Sequence, residues 1–147
     1  MKIAVLDDYQ GVALDLADWN SLSENCQVEV FKEHWAGTDT VKERLRDFEI
    51  IAAMRERTPF GRELLAGLPN LKLLITTGMR NAAIDVDAAT DLGIIICGAG
   101  GGGVFLIYSP WRKKHKIAKA MIDAGCEVID YSFRKEGLQT WSVYNGR

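Results

Sequence analysis

The chain has 147 residues, 48% of them hydrophobic and 26% charged, with a net charge of −2. This is the composition of a soluble globular chain of one ordinary domain, long enough to bury a core without disulfide or metal. No apolar run approaches the ~20 residues of a membrane span, and the acidic balance, with a pI near 5.7, argues against a nucleic-acid-binding protein.

The start, MKIAVLDDYQG, lacks the apolar core and cleavage site of a signal peptide, so a cytoplasmic location is expected. Cys26, Cys97 and Cys126 are odd in number, widely spaced and match no metal pattern; they read as ordinary thiols in a reducing compartment. Charge is unevenly spread. Residues 1–98 are net acidic and 99–147 net basic, with the change at the glycine run Gly100–Gly103, which suggests two pieces of different role.

In chain order, Lys2–Asp8 reads as a first strand ending in two carboxylates. A helical pattern follows, with apolar Val12, Leu14, Leu16, Trp19 and Leu22. Gln27–Phe31 alternates and is a second strand. Thr38 or Asp39 caps a helix over Asp39–Phe48, whose Val41, Leu45 and Phe48 form one stripe. Glu49–Met54 is a third strand, opening into Arg55, Glu56, Arg57, Thr58 and Pro59. The helix GRELLAGL follows, stopped by Gly67 and Pro69. Leu71–Ile75 is too short and too continuously apolar for a surface helix, so it is a central strand covered on both faces, running into TTGMRN. Asp85 caps a short helix closed by Gly93, and Ile94–Cys97 is the fifth strand.

Five β-α repeats predict a doubly wound parallel α/β sheet of flavodoxin-like order, 2-1-3-4-5. Beyond Gly100–Gly103, read as a flexible connection, comes an extra β-α-β unit. Val104–Tyr108 is its first strand, Ser109 and Pro110 start its helix over Arg112–Ala124, Gly125 closes that helix, and Glu127–Tyr131 is its second strand. The expected division is 1–98 and 99–147, with the second part either a degenerate remnant of a nucleotide-binding domain or an addition to the same sheet. The end, KEGLQTWSVYNGR, has no clear period.

A parallel sheet carries its working residues just past the carboxyl ends of its strands. TTGMRN and Arg55–Arg57 stand there, where backbone N–H groups and guanidinium groups suit a carboxylate. The competing reading makes Arg55, Arg57 and Arg80 solvated loop charges paired with Glu56 and Asp85. Asp7 and Asp8 look like the acidic pair of response-regulator receiver domains, but Met54–Arg55 stand where those domains carry the phosphoacceptor Asp, and Cys97–Gly98 where they carry a lysine. His34, His115 and the cluster Arg112–Lys119 read as solvent-facing groups. The cations around His115 disfavour its protonated form, and no acidic neighbour makes it an acid/base pair.

The segments AMRERTPF, LPNLKLLITTGMRNAAID and AATDLGIIICG, with the opening KIAVLDDYQ, resemble the N-terminal substrate domain of the D-2-hydroxyacid dehydrogenases, the family of phosphoglycerate dehydrogenase, over about residues 1–98. The resemblance implies a Rossmann-like oxidoreductase that moves hydride between NAD(H) and a small 2-hydroxy or 2-oxo acid held between two domains. It places Arg55, Glu56, Arg57, Gly78, Met79, Arg80 and Asn81 against the substrate. The family's catalytic Arg, Glu and His belong to its second domain. Residues 104–131 have the length of its nucleotide-binding unit, but the turn reads Tyr108, Ser109, Pro110, Trp111, Arg112 where GxGxxG belongs. The expectation is therefore a truncated or rearranged chain, inactive alone, with NAD implied by family only and catalytic residues and metal ligands none. A third reading is a complete enzyme assembled from two chains, which needs a homo-dimer with the two clefts completed in trans. The alternative is a non-enzymatic binding or assembly module of the same fold, whose basic helix docks on an acidic partner.

Overall fold

The computed structural model describes residues 1–77, 82–100 and 104–129. Strands β1 (Lys2–Val5), β2 (Gln27–Val30), β3 (Ile50–Ala53), β4 (Leu73–Thr77), β5 (Ile95–Gly100) and β6 (Val104–Tyr108) form one sheet of order β2-β1-β3-β4-β5-β6. The first five are mutually parallel, in the expected 2-1-3-4-5 order, and β6 pairs antiparallel with β5. Helices α1 (Thr38–Leu45), α2 (Arg62–Ala66) and α3 (Val86–Asp91) alternate with the strands, and α4 (Lys114–Asp123) follows β6.

The direction of the connections explains how the core is filled. The β2-to-β3, β3-to-β4 and β4-to-β5 links all cross the sheet in one direction. Right-handed crossovers therefore put α1, α2 and α3 on one face. The strand residues of that face, Ala4, Ile51, Leu74 and Ile96, join Val41, Leu45, Leu64, Leu65, Ala88 and Ala89 from the helices in one buried cluster. Each large aliphatic side chain buried there contributes about 1.5–3 kcal/mol. The alternate residues Ile50, Ala52, Leu73, Ile75, Ile95 and Cys97 are only half-buried. The central strand, expected to be covered on both faces, is thus buried on one face and half-buried on the other among the described residues.

Other local expectations are corrected. No α-helix forms over Val12–Leu22; the segment is a series of turns with one 3-10 turn at Trp19–Ser21. Its apolar residues are spaced by two and three and make no single stripe, and Leu16 is left 78% exposed. The Asp8 carboxylate takes the N–H groups of Val12 and Ala13, and the Trp19 indole N–H donates to the Ala13 carbonyl, which tie the segment down without a helix. Helix α1 starts one residue early. Its N-cap is Gly37, at φ +90° and without a side-chain cap bond, while Asp39 pairs with Lys42 instead. Asp85 caps α3 as expected, accepting from the Ala88 N–H at 2.8 Å, and Gly93 ends it at φ +74°.

β5 runs to Gly100, longer than predicted, so the first residue of the glycine run belongs to a strand. Gly101–Gly103 lie outside the described residues. Gly125, at φ +84°, closes α4, but residues 127–129 are not a strand, and the rest of the predicted strand to Tyr131 lies outside the described residues, as does the end of the chain. Residues Met1–Lys114 form one compact unit, and a second begins at His115. Among the described residues no helix is long and apolar enough to cross a membrane.

Candidate functional site

The carboxyl edge of the parallel strands is where the backbone departs from ordinary geometry. Among the described residues, two non-glycine residues have positive φ. They are Asp7 at +58°, just past β1, and Arg55 at +50°, just past β3. These strands are neighbours, in register Val5 to Ala52. Non-glycine residues hold such conformations only where surrounding contacts over-determine them.

At Arg55 those contacts come from β4. The Arg55 N–H donates to the Thr77 hydroxyl at 3.0 Å, and that hydroxyl donates on to the Met54 sulfur at 3.4 Å. The next residue, Glu56, accepts the Ala82 N–H on Oε1 at 3.1 Å, so the β3 loop is tied to both sides of the TTGMRN turn. Arg57 lays its guanidinium over the Tyr9 ring, 4.3 Å from the centroid. Glu56, offered by the competing reading as a partner of the loop arginines, takes a backbone N–H here, and the Arg80 of that reading lies outside the described residues. Gly78, Met79, Arg80 and Asn81 lie outside the described residues. Past the loop, Phe60 and Ile84 form a bridge whose bonds run from Phe60 N–H to the Ala83 carbonyl and from Asp85 N–H to the Phe60 carbonyl.

At Asp7 a buried network closes the other end of the loop. Its side chain is 2% exposed, and both oxygens are engaged. The Thr58 hydroxyl donates to Oδ2 at 2.9 Å, and His34 Nδ1 bonds Oδ1 at 2.9 Å. An ionised carboxylate only accepts, which puts the hydrogen on Nδ1 and leaves Nε2 on the half-exposed side of the ring. An open cleft of about 180 Å³ runs between His34–Thr38 and Thr58–Pro59, with Val41 and Leu64 beneath. His34 read from sequence as a solvated residue; two acidic residues at the end of one strand beside a histidine past the neighbouring strand's end were the available signal. Among the described residues no cluster of His, Cys, Asp and Glu has the makings of a metal site.

After β6, the turn at Ser109–Lys113 is a 3-10 turn capped by Pro110, with Trp111 76% exposed. Pro lacks an N–H, Trp is bulky, and β6 runs antiparallel to β5. These residues do not fit a dinucleotide, which needs glycine turns at the end of a parallel strand. His115 is exposed on α4. Burial pushes the Cys97 thiol up from its ordinary value.

A sequence profile described as the D-isomer specific 2-hydroxyacid dehydrogenase catalytic domain matches residues 3–104, slightly beyond the stretch expected from sequence. Two solved structures resemble the chain at 35% identity over 84% of its length. One is an oxidoreductase of D-3-phosphoglycerate dehydrogenase type from Ralstonia solanacearum, with a TM-score of 0.60 and 34% of that chain covered. The other is a phosphoglycerate oxidoreductase from Vibrio cholerae O395, with a TM-score of 0.63 and 36% covered. A D-lactate dehydrogenase from Aquifex aeolicus, solved with NAD and lactic acid, shares the fold at 20% identity and a TM-score of 0.53, over 83% of this chain and 33% of its own. The chain thus spans about a third of the length of these structures. No curated protein sequence matches it. By the profile match over most of its length, the chain belongs to the D-isomer specific 2-hydroxyacid dehydrogenases, through their catalytic domain.

Proposed function

We propose that the carboxyl edge of β3 and β4 binds the carboxylate of a small 2-hydroxy or 2-oxo acid, as the substrate-holding part of an NAD-dependent oxidoreductase. The observation that carries this reading is the pair of bonds joining the Arg55–Thr58 loop to Thr77 and Ala82, on either side of the TTGMRN turn. Arg55 and Arg80 supply guanidinium groups, the backbone of Gly78, Met79 and Asn81 supplies N–H donors, and Glu56 and Arg57 hold the loop through Ala82 and Tyr9. A bound nicotinamide supplies the hydride. The turn at Ser109–Lys113 does not fit that group, and the chain alone is expected to show no turnover. In this reading residues 1–98 are the substrate domain, and 99–147 are a remnant or an addition.

The test is binding first, activity second. Pyruvate is titrated into ¹⁵N-labelled protein while the backbone amides of Arg55 and Ala82 are followed by NMR. Saturable shifts at both are expected, and Arg55→Ala weakens binding about tenfold, the loss of one charge-assisted contact. NADH with glyoxylate or pyruvate gives no oxidation by the chain alone. Unmoved amides, or turnover by the isolated chain, would overturn the proposal.

A further inference from the structure

We infer that Asp7 is a positioning residue for the acid-binding loop, and that His34 locks it in that role; this rests on the reading of the β3–β4 edge as an acid site. The loop from Arg55 to Thr58 is pinned at its start by Thr77, in its middle by Ala82 and at its end by Asp7. The first two pins come from around β4, the side where the acid sits. The third comes from β1, the other flank of β3, where Arg57 also lies over Tyr9, so Asp7 pins the end of the loop from behind.

A carboxylate suits this task because it offers two acceptors to donors arriving from different segments. Thr58 arrives from the loop, 51 residues away in sequence, and His34 from the β2–α1 connection, 27 residues away. Asp7 is nearly sealed from water, so neither oxygen has a ready substitute partner. Asp7 holds this place at a positive φ, just past β1, with its carboxylate bonded to Thr58 and His34. The same left-handed conformation recurs at the ends of two neighbouring strands, at Asp7 past β1 and at Arg55 past β3, the segments that the Thr58–Asp7 bond joins.

The inference separates Asp7 from a residue that merely fills space. In Asp7→Asn the amide oxygen still takes the Thr58 hydroxyl, but the amide N–H₂ then faces His34 Nδ1 and requires a lone pair there. In buffer alkaline enough to hold the imidazole neutral, the His34 ring should switch from the Nδ1–H to the Nε2–H tautomer, a change read directly in imidazole ¹⁵N shifts, with the loop amides little moved. Thr58→Val keeps the shape of the side chain and removes the donor. It should shift the Arg55 and Glu56 amides, speed their hydrogen exchange and weaken pyruvate binding about tenfold, while Thr58→Ser returns affinity to within about twofold of the parent.

If Asp7→Asn does not fold, Thr58→Val and Thr58→Ser decide the matter. A folded Thr58→Val protein with parental pyruvate affinity and parental Arg55 amide behaviour would overturn the inference, and so would an unchanged His34 tautomer in folded Asp7→Asn. If the parent itself does not bind pyruvate, the acid-site reading fails. The Arg55 amide exchange in Thr58→Val then still shows whether Asp7 sets the loop.

Discussion

The hydroxyl of Thr77 receives the backbone N–H of Arg55 at 3.0 Å, across the ends of β4 and β3. This bond holds Arg55 at φ +50° and orders the first residue of the loop. Thr77→Val removes the acceptor at nearly constant volume. It is expected to destabilise by about 1 kcal/mol, since the site is exposed and water can partly replace the hydroxyl, and to weaken acid binding more than its stability loss suggests. Chemical denaturation and pyruvate titration, run together with Thr77→Ser as the conservative control, check this. Equal binding by Thr77→Val and the parent would detach this bond from the site.

Phe60, which forms the bridge to Ile84 past the loops that follow β3 and β4, is wholly buried. Phe60→Ala leaves a cavity there as well as losing apolar burial, at a cost of about 3–5 kcal/mol. Against a total stability of about 5–15 kcal/mol for a domain, the variant should unfold at much lower denaturant concentration, or not fold at ordinary temperature. A midpoint within experimental error of the parent would mean that the bridge region is not packed as described.

Glu49 shows where acid acts. The Lys72 ammonium, hydrogen-bonded to its carboxylate, holds the Glu49 pKa below its ordinary 4.5, with the chain's amino terminus adding to the pull. A carboxylate with a lowered folded pKa contributes stability above the unfolded value and loses it as pH falls through the folded one. The Glu49→Gln variant is therefore expected to be less stable than the parent at neutral pH, with the two melting temperatures converging as pH drops below about 4.5. The pair is exposed, so added salt should narrow the gap. A gap that persists at pH 2 would assign the effect to packing instead of charge.

The parallel core was legible because its signals are local. Leu73–Ile75 and Ile95–Cys97 are short apolar runs, Asp85 sits where a cap belongs, and Gly93 takes the positive φ that ends a helix. Segment 12–22 misled because its apolar residues outnumber those it can bury; a helix there would have needed a stripe to pack, and Asp8 supplied turns instead. The sequence showed a strand covered on both faces but not which face is the tighter, because a strand's composition does not say on which side the crossovers fall.

From its residues alone this protein's family and its strand order were determined, since each follows from short-range pattern and from segments that keep their order. What only the folded chain decided is the linkage behind the Arg55–Thr58 loop. Asp7, His34 and Thr58 are far apart in sequence and no local pattern joins them, and they meet because parallel strands carry their carboxyl ends to one edge, where a buried carboxylate must find its donors from whichever segments the crossovers bring there.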